Sequence, residues 1–214
     1  MAHIKTTHVG SLPRGDELTP LLLARDAGKP YDAAEFDRVV SAAVDEAVKQ
    51  QVAAGVSVVS DGELGKVGYS TYMIERLSGF GGHIDRKAAA DLAEVPDLAK
   101  KLSAIMGSQE FVRASCIGEV KLVTLDPLHE DIRRFKGALA NHAAPTTEAF
   151  MNAASPGLIT AFQVNRFYPS HEAYLAALVD AMREEYETIV NAGFYLQLDC
   201  PDLAMSRHTG YQDL

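Results

Sequence analysis

The 214 residues carry a formal net charge of −9, with 47% hydrophobic and 23% charged residues, an ordinary composition for a globular protein with a real core. An acidic chain is a poor match to nucleic acids or anionic membranes, because both bind basic patches. No apolar run approaches the roughly 18 residues of a membrane span, and the first residues lack a signal-peptide pattern. We therefore expect a cytoplasmic protein that binds neither nucleic acid nor membrane.

The chain opens with a predicted short strand, "TTHVGSLPR", that stops at Gly10 and Ser11 and is turned by a proline. His8 lies within this stretch, and Arg14 ends it. Exposed backbone amides in a glycine-serine turn can form a concave site for an anion. The stretch predicts either such a cradle or an ordinary turn, since glycine and proline are common in both.

Two later segments share one pattern, a helix that feeds a buried strand followed by an acidic residue. In the first, Asp32 and Glu35 form a capping pair, and the helical apolar period runs to Gly55. The strand "VSVVSDGE" then leads to Glu63, and near the end of the chain the strand "FYLQLD" ends at Asp199. Ligands of parallel α/β folds bind beyond the carboxyl ends of the strands. Both acids are therefore candidate binding residues.

The middle of the chain is less regular. Residues 66–115 are poorly patterned and predict a long insertion or lid. "SCIGEVKLV" predicts a third strand, "DPLHEDIRRFKGALANH" a helix, and "TTEAFMNAASPGLITAF" a fourth strand that runs into a Ser-Pro-Gly turn. We predict one α/β domain over residues 1–214 with about five parallel strands. It is either an open sheet or a barrel chain that stops early, because a (β/α)8 barrel needs eight strands.

Four motifs in order, "HVGSLPR", "SDGE", "SPGLIT" and "LQLDCPDLA", resemble the cobalamin-independent methionine synthase family, in particular its C-terminal catalytic barrel and stand-alone relatives. The resemblance implies a TIM barrel, incomplete here, that transfers a methyl group from a folate-like donor to a thiol such as homocysteine. It implies that Gly10 and Ser11 bind the substrate carboxylate. It also implies that Glu63 and Asp199 hold the ammonium, as charge-assisted hydrogen bonds favour. His8 is a further candidate, in a hydrogen-bonding or a merely structural role.

The resemblance also implies a zinc ion that activates the thiol. The family's zinc ligands, a His-x-Cys pair, a further acid and a last cysteine, are absent from this chain. Cys116 and Cys200 have no ligand-like spacing, and Cys200 replaces an acidic residue that is usual in the family. We expect substrate recognition without a metal site in this chain, and we assign no catalytic residue.

Two alternatives remain open. One keeps the barrel and changes the thiol, as in zinc-dependent enzymes that act on coenzyme M. The other is a non-catalytic protein that binds a ligand, or that assembles with a partner chain or a second copy through exposed strand edges.

Overall fold

The computed structural model describes residues 4–68, 72–82, 94–105 and 114–204. The α-helices in these ranges are α1 (Leu18–Asp26), α2 (Ala33–Ala53), α3 (Pro96–Ile105), α4 (Asp126–His142), α5 (Pro156–Phe162) and α6 (His171–Asn191). The strands are β1 (Val58–Ser60), β2 (Phe80–Gly81), β3 (Ser115–Cys116), β4 (Glu148–Ala154) and β5 (Tyr195–Asp199), and a 3-10 helix covers Tyr72–Glu75. None of the helices in the described part of the chain has the length and apolar character that crossing a membrane requires.

The described residues form two compact units, each built from separate stretches of the chain. The first takes those within Met1–Arg76, Val123–Ala153 and Arg183–Leu198. The second takes those within Leu77–Leu122, Ala154–Met182 and Asp199–Leu214. A single domain over 1–214 stays a prediction, as does the insertion at 66–115, much of which lies outside the described residues.

The main sheet has the strand order β1-β4-β5. β1 and β4 run parallel, with Val58 opposite Glu148 and Ser60 opposite Phe150. The predicted opening strand is reduced to one parallel bridge between Thr7 and Val58. Six of the seven residues of β4 are buried, which is typical of a parallel strand covered on both faces. The predicted α/β class with parallel strands is confirmed.

The predicted third strand is wrong as a member of the parallel sheet. β3 pairs antiparallel with β2 in a separate two-stranded sheet of the second unit. The amides of Ile117 and Gly118 both donate to the Gly79 carbonyl. Gly79 has φ +89°, and a Cβ there would lie 2.7 Å from the Gly118 and Glu119 carbonyl oxygens. Only glycine permits this close backbone approach. On its other side β3 makes a single parallel bridge, between Cys116 and Asn165.

The core of the first unit lies between the sheet and the packed helix pair α2 and α4. Val59 and Met151 join the apolar residues of both helices in one buried cluster. The rings of Phe135 and Phe194 stack there with centroids 4.9 Å apart. Because side chains alternate along a strand, Asn152 lies on the face of β4 opposite to Met151 and away from this cluster.

The two predicted ends of α2 are confirmed, and the structure adds a cap at the start of α6. The Asp32 carboxylate accepts from the amides of Ala34 and Glu35 at 2.9 and 3.0 Å. Gly55 follows α2 in the left-handed region, with φ +75°. The Ser170 hydroxyl caps α6 by accepting from the Ala173 amide at 3.2 Å.

A buried ion pair fixes the 3-10 helix to α6 within the first unit. An Arg76 Nη lies 2.5 Å from a Glu185 carboxylate oxygen, and the two side chains are 2% and 4% exposed. The same guanidinium lies 3.8 Å from the centroid of the Tyr72 ring. Burial is the largest single influence on the pKa of Arg76 and lowers it, but the Glu185 charge and hydrogen bond, together with Tyr72 and Asp131, outweigh burial, and the net pKa is raised. Arg76 therefore stays charged, and the loss of Glu185 would leave that buried charge without its counter-ion.

Replacing Glu185 by Gln leaves the Arg76 charge buried without a counter-ion. We expect the free energy of unfolding in urea to fall by about 3–5 kcal/mol. The control is Arg38→Met, which breaks an exposed pair with Glu35 (62% and 45% exposed) and should change the free energy of unfolding little, because exposed ion pairs contribute little. Equal losses in the two variants would contradict this account of the ion pair.

Candidate functional site

The loop at 61–66, which follows β1, is buried along its whole length. Gly62 and Glu63 both have left-handed backbones, with φ 65° and 56°. A non-glycine residue in this region is uncommon, and such strained positions cluster at functional sites. The Asp61 carboxylate accepts from the Glu63 amide at 3.0 Å and stabilises the turn. Glu63 itself is 5% exposed.

Gly62 brings the opening segment of the chain onto this loop. The Leu12 amide donates to the Gly62 carbonyl at 2.9 Å. A Cβ at position 62 would lie 2.7 Å from Leu12 Cδ1. Any larger residue would therefore require the Leu12 side chain to move, in addition to its strain in the left-handed region.

The Glu63 carboxylate is held from two sides. The Ser11 hydroxyl donates to Oε2 at 2.7 Å, and Asn152 Nδ2 donates to Oε1 at 3.0 Å. The structure thus brings together Ser11 and Glu63, two of the residues that the sequence predicted as a binding site. Asn152, from β4, was not predicted.

Gly10 and His8 shape the opening loop beside this carboxylate. Gly10 is exposed and left-handed, with φ +92°. His8 Nε2 lies 3.0 Å from the Gly10 carbonyl, and because a carbonyl only accepts, Nε2 carries the proton. Among the described residues, none accepts a hydrogen bond from the amides of Gly10 and Ser11. These two amides remain available for an anion, whereas His8 braces the loop.

Two arginines hold the backbone of the 61–66 loop. Arg14 Nη2 donates to the carbonyls of Glu63 (3.1 Å) and Lys66 (2.6 Å). Arg25 Nη2 donates to the Gly65 carbonyl at 2.8 Å. Burial lowers the pKa of Arg14, and the Glu63 charge opposes that shift. These contacts satisfy carbonyl groups that a buried loop otherwise leaves unpaired.

Lys66 and Asn152 connect the end of β4 with this loop. Lys66, which is 3% exposed, donates from Nζ to Asn152 Oδ1 at 3.0 Å and to the Asn152 carbonyl at 3.3 Å. Sequence reasoning missed both residues. The available signal was a polar side chain inside the buried run "AFMNAA", because a buried polar group needs a partner.

Further acidic groups lie deeper in the same unit. Burial raises the pKa of the Asp61 carboxyl; the Lys66 ammonium opposes this shift, and the Asp131 carboxylate adds to it. The Tyr72 hydroxyl donates to Asp131 at 2.5 Å, and Arg134 pairs with Asp131 at 3.0 Å. The buried environment of Asp61 thus disfavours the ionised form of its carboxyl group.

Asp199 is the last residue of β5, at the strand end where the sequence predicted it, and it belongs to the second unit. Its carbonyl accepts from the Ser155 amide at 3.1 Å. The Ser155 hydroxyl caps α5 by accepting from the Leu158 amide at 3.1 Å, and it lies 3.3 Å from an Asp202 carboxylate oxygen as a donor. The role of Asp199 in substrate binding stays a prediction.

The described residues do not fit a zinc ion. Within the described ranges no group of three His, Cys, Asp or Glu residues could hold a metal. Cys116 is fully buried, its thiol donates to the Gly118 carbonyl at 3.5 Å, and burial raises the pKa of the thiol. A zinc ligand requires the opposite, a thiolate. We therefore derive no step through zinc from these residues.

The fold and the cluster at 61–66 define the class as an α/β protein with parallel strands and a polar site beyond the carboxyl ends of β1 and β4. No family model matches the chain. The methionine synthase of Sulfolobus acidocaldarius is 23% identical over 214 residues, which is 99% of this chain and 54% of that protein.

Solved structures of other proteins share the fold of this chain. A B12-independent methionine synthase from Shewanella sp. W3-18-1, in complex with selenomethionine, superposes with a TM-score of 0.66 at 21% identity, over 94% of this chain and 52% of that one. A Listeria monocytogenes protein assigned as a vitamin-B12-independent methionine synthase gives a TM-score of 0.63 at 18% identity, over 92% and 53%.

The resemblance to the cobalamin-independent methionine synthases that the four motifs predicted is confirmed. The chain spans about half the length of the curated relative and of the solved structures that it matches. At 18–21% identity the structural match concerns the fold. A closed barrel stays a prediction.

Replacing Asp61 by Asn removes a buried acid and keeps the oxygen that accepts the Glu63 amide. The raised pKa of Asp61 means that folding favours its protonated form, so wild-type stability falls as pH rises above the ordinary pKa of 3.8. We expect Asp61→Asn to be more stable than wild type at pH 7 and equal to it at pH 3, by urea unfolding. The exposed Asp16→Asn should change little at either pH; a pH-independent effect of Asp61→Asn would contradict the account.

Proposed function

We propose that this chain recognises the amino-acid substrate of a methyltransferase of the cobalamin-independent methionine synthase type. Such an enzyme transfers a methyl group from a folate-like donor to a thiol such as homocysteine. One observation carries the proposal: the buried Glu63 carboxylate, in contact with Ser11, lies beside the exposed amides of Gly10 and Ser11.

The geometry suits a zwitterion. An α-amino acid carries its ammonium and carboxylate on one carbon, so its binding groups must be close together. Ser11 meets this need because its amide offers a donor for the carboxylate, while its hydroxyl contacts the acid that would receive the ammonium. Each oxygen of Glu63 has one donor in this network, and a carboxylate oxygen accepts about two. Room for an ammonium donor therefore remains.

The Shewanella relative supports the same ligand class. It was solved with selenomethionine, an amino acid with the backbone groups of homocysteine. In our proposal Gly10, Ser11 and Glu63 bind the corresponding groups of the ligand, and the role of Asp199, which belongs to the second unit, stays a separate prediction. His8 supports the loop through Gly10.

The proposal covers binding of the amino-acid substrate and does not include transfer of the methyl group. Zinc would supply thiolate formation, since a bound metal ion lowers the pKa of its ligand. The described residues do not fit that ion, and the catalytic residues are unassigned.

Coenzyme M, the acceptor in our first alternative, carries a sulfonate and no ammonium. A buried carboxylate at Glu63 gives such an anion no counter-charge and repels it. The acidic site thus favours an amino-acid thiol, and coenzyme M becomes a control ligand.

We expect L-homocysteine and L-methionine to bind wild-type protein in isothermal titration calorimetry, and Glu63→Gln to weaken both about tenfold or more, because a hydrogen bond between charged groups is lost. Ser11→Ala should weaken binding several-fold. Asp199→Asn tests whether the Asp199 carboxylate contributes to binding, and an affinity equal to that of wild type would remove Asp199 from the proposal. The exposed Glu35→Gln is the matched control and should bind as wild type does. Tight binding of coenzyme M, or equal affinity in Glu63→Gln and wild type, would refute the proposal.

A further inference from the structure

We propose that Asn152 and Lys66 are positioning residues for this site: Lys66 sets the orientation of the Asn152 amide, and Asn152 in turn holds the Glu63 carboxylate toward the ligand. The inference rests on the proposed function for its ligand. Its geometry is independent of that function, because it concerns three buried side chains in direct contact within the first unit.

The order of the three residues determines the orientation of the amide. A lysine ammonium only donates hydrogen bonds, and an ionised carboxylate only accepts them. Asn152 lies between the two, with Oδ1 3.0 Å from Lys66 Nζ and Nδ2 3.0 Å from Glu63 Oε1. The reverse orientation would place an N–H against the ammonium and an oxygen against the carboxylate. Removing Lys66 therefore removes one of the two groups that forbid the reverse orientation.

Lys66 holds Asn152 at two points, since Nζ also approaches the Asn152 carbonyl at 3.3 Å. Its ammonium lies 5.1 Å from the centroid of the Tyr72 ring, which fixes the side chain from another direction. Lys66 is thus restrained by the loop that carries Glu63, by β4 and by the 3-10 helix.

Burial makes the chain of contacts from Lys66 through Asn152 to Glu63, which we call the relay, important for the orientation of the carboxylate. Glu63 and Asn152 are each 5% exposed and Lys66 is 3% exposed, so water does not replace a missing partner, and each lost contact leaves a buried polar group unpaired. Glu63 also has a left-handed backbone, so its side-chain direction depends on contacts that outweigh local strain. Ser11 holds one oxygen, and without Asn152 the carboxylate could rotate about that single contact.

The first experiment needs no ligand. We expect the side-chain amide protons of Asn152 to give slowly exchanging signals in 1H–15N spectra of the wild-type chain, with Asn152→Leu used to assign them. In Lys66→Met, which keeps the apolar stem and removes the donor, these signals should shift and exchange faster. Glu63→Gln should shift them as well, because the acceptor loses its charge. Unchanged signals in both variants would overturn the relay.

The second experiment measures L-homocysteine affinity in a matched pair. Lys66→Gln keeps an N–H donor on a side chain of similar length, whereas Lys66→Met does not. We expect Lys66→Met and Asn152→Leu to raise Kd about tenfold, and Lys66→Gln to raise it about threefold or less. Urea unfolding reports whether each variant is folded. A merely structural lysine predicts equal loss in the Met and Gln variants, and that result would overturn the proposal.

The two experiments separate the failure of the relay from failure of the proposed function. If wild type binds no homocysteine, the proposed function is wrong, and the Asn152 spectra alone decide the relay. If wild type binds and the Met and Gln variants are equally weak, the function stands and the relay falls.

Discussion

The structure of the first unit depends on one constraint, the burial of the Glu63 carboxylate in a left-handed loop. An ion taken out of water without partners is strongly unfavourable, so its donors must come from elsewhere in the chain. Ser11 comes from the opening segment and Asn152 from the carboxyl-terminal half of β4. This explains why the opening segment leaves the sheet after a single bridge at Thr7, since its backbone must cross to the loop at 61–66.

The two faces of β4 separate the apolar core from the candidate site. Met151 joins the apolar cluster beneath the helices, whereas Asn152 meets the polar loop. This division arises because successive side chains of a strand lie on opposite faces of the sheet. The polar face carries the unfavourable features of the unit, including the buried Asp61 acid and the strained Glu63 backbone. Such features persist when the surrounding packing outweighs their cost, and the α2–α4 core supplies that packing.

The sequence predicted the elements whose signals are local. The Asp32 cap, the Gly55 end of α2 and the strand that ends at Asp199 all follow from neighbouring residues, and the structure contains them. The predicted third strand lies outside the main sheet: β3 pairs with β2, beside a close backbone contact at Gly79 that no periodicity records. Likewise, Lys66, a partner of Asn152, lies 86 residues away in the sequence. The only local signal for Asn152 was its polarity within a buried run.

Recognition and thiol activation have different physical requirements, and our proposal concerns recognition alone. Recognition needs fixed donors and a buried charge, and Glu63 with its hydrogen bonds to Ser11 and Asn152 is such an arrangement. Activation needs soft ligands in their thiolate form, whereas burial raises the pKa of the Cys116 thiol. The amino-acid affinity that we propose therefore involves no thiolate ligand among the described residues. In a protein organised this way, ligand binding is the property that its own residues control, and it is the direct measure of whether the Glu63 site has the function that we propose.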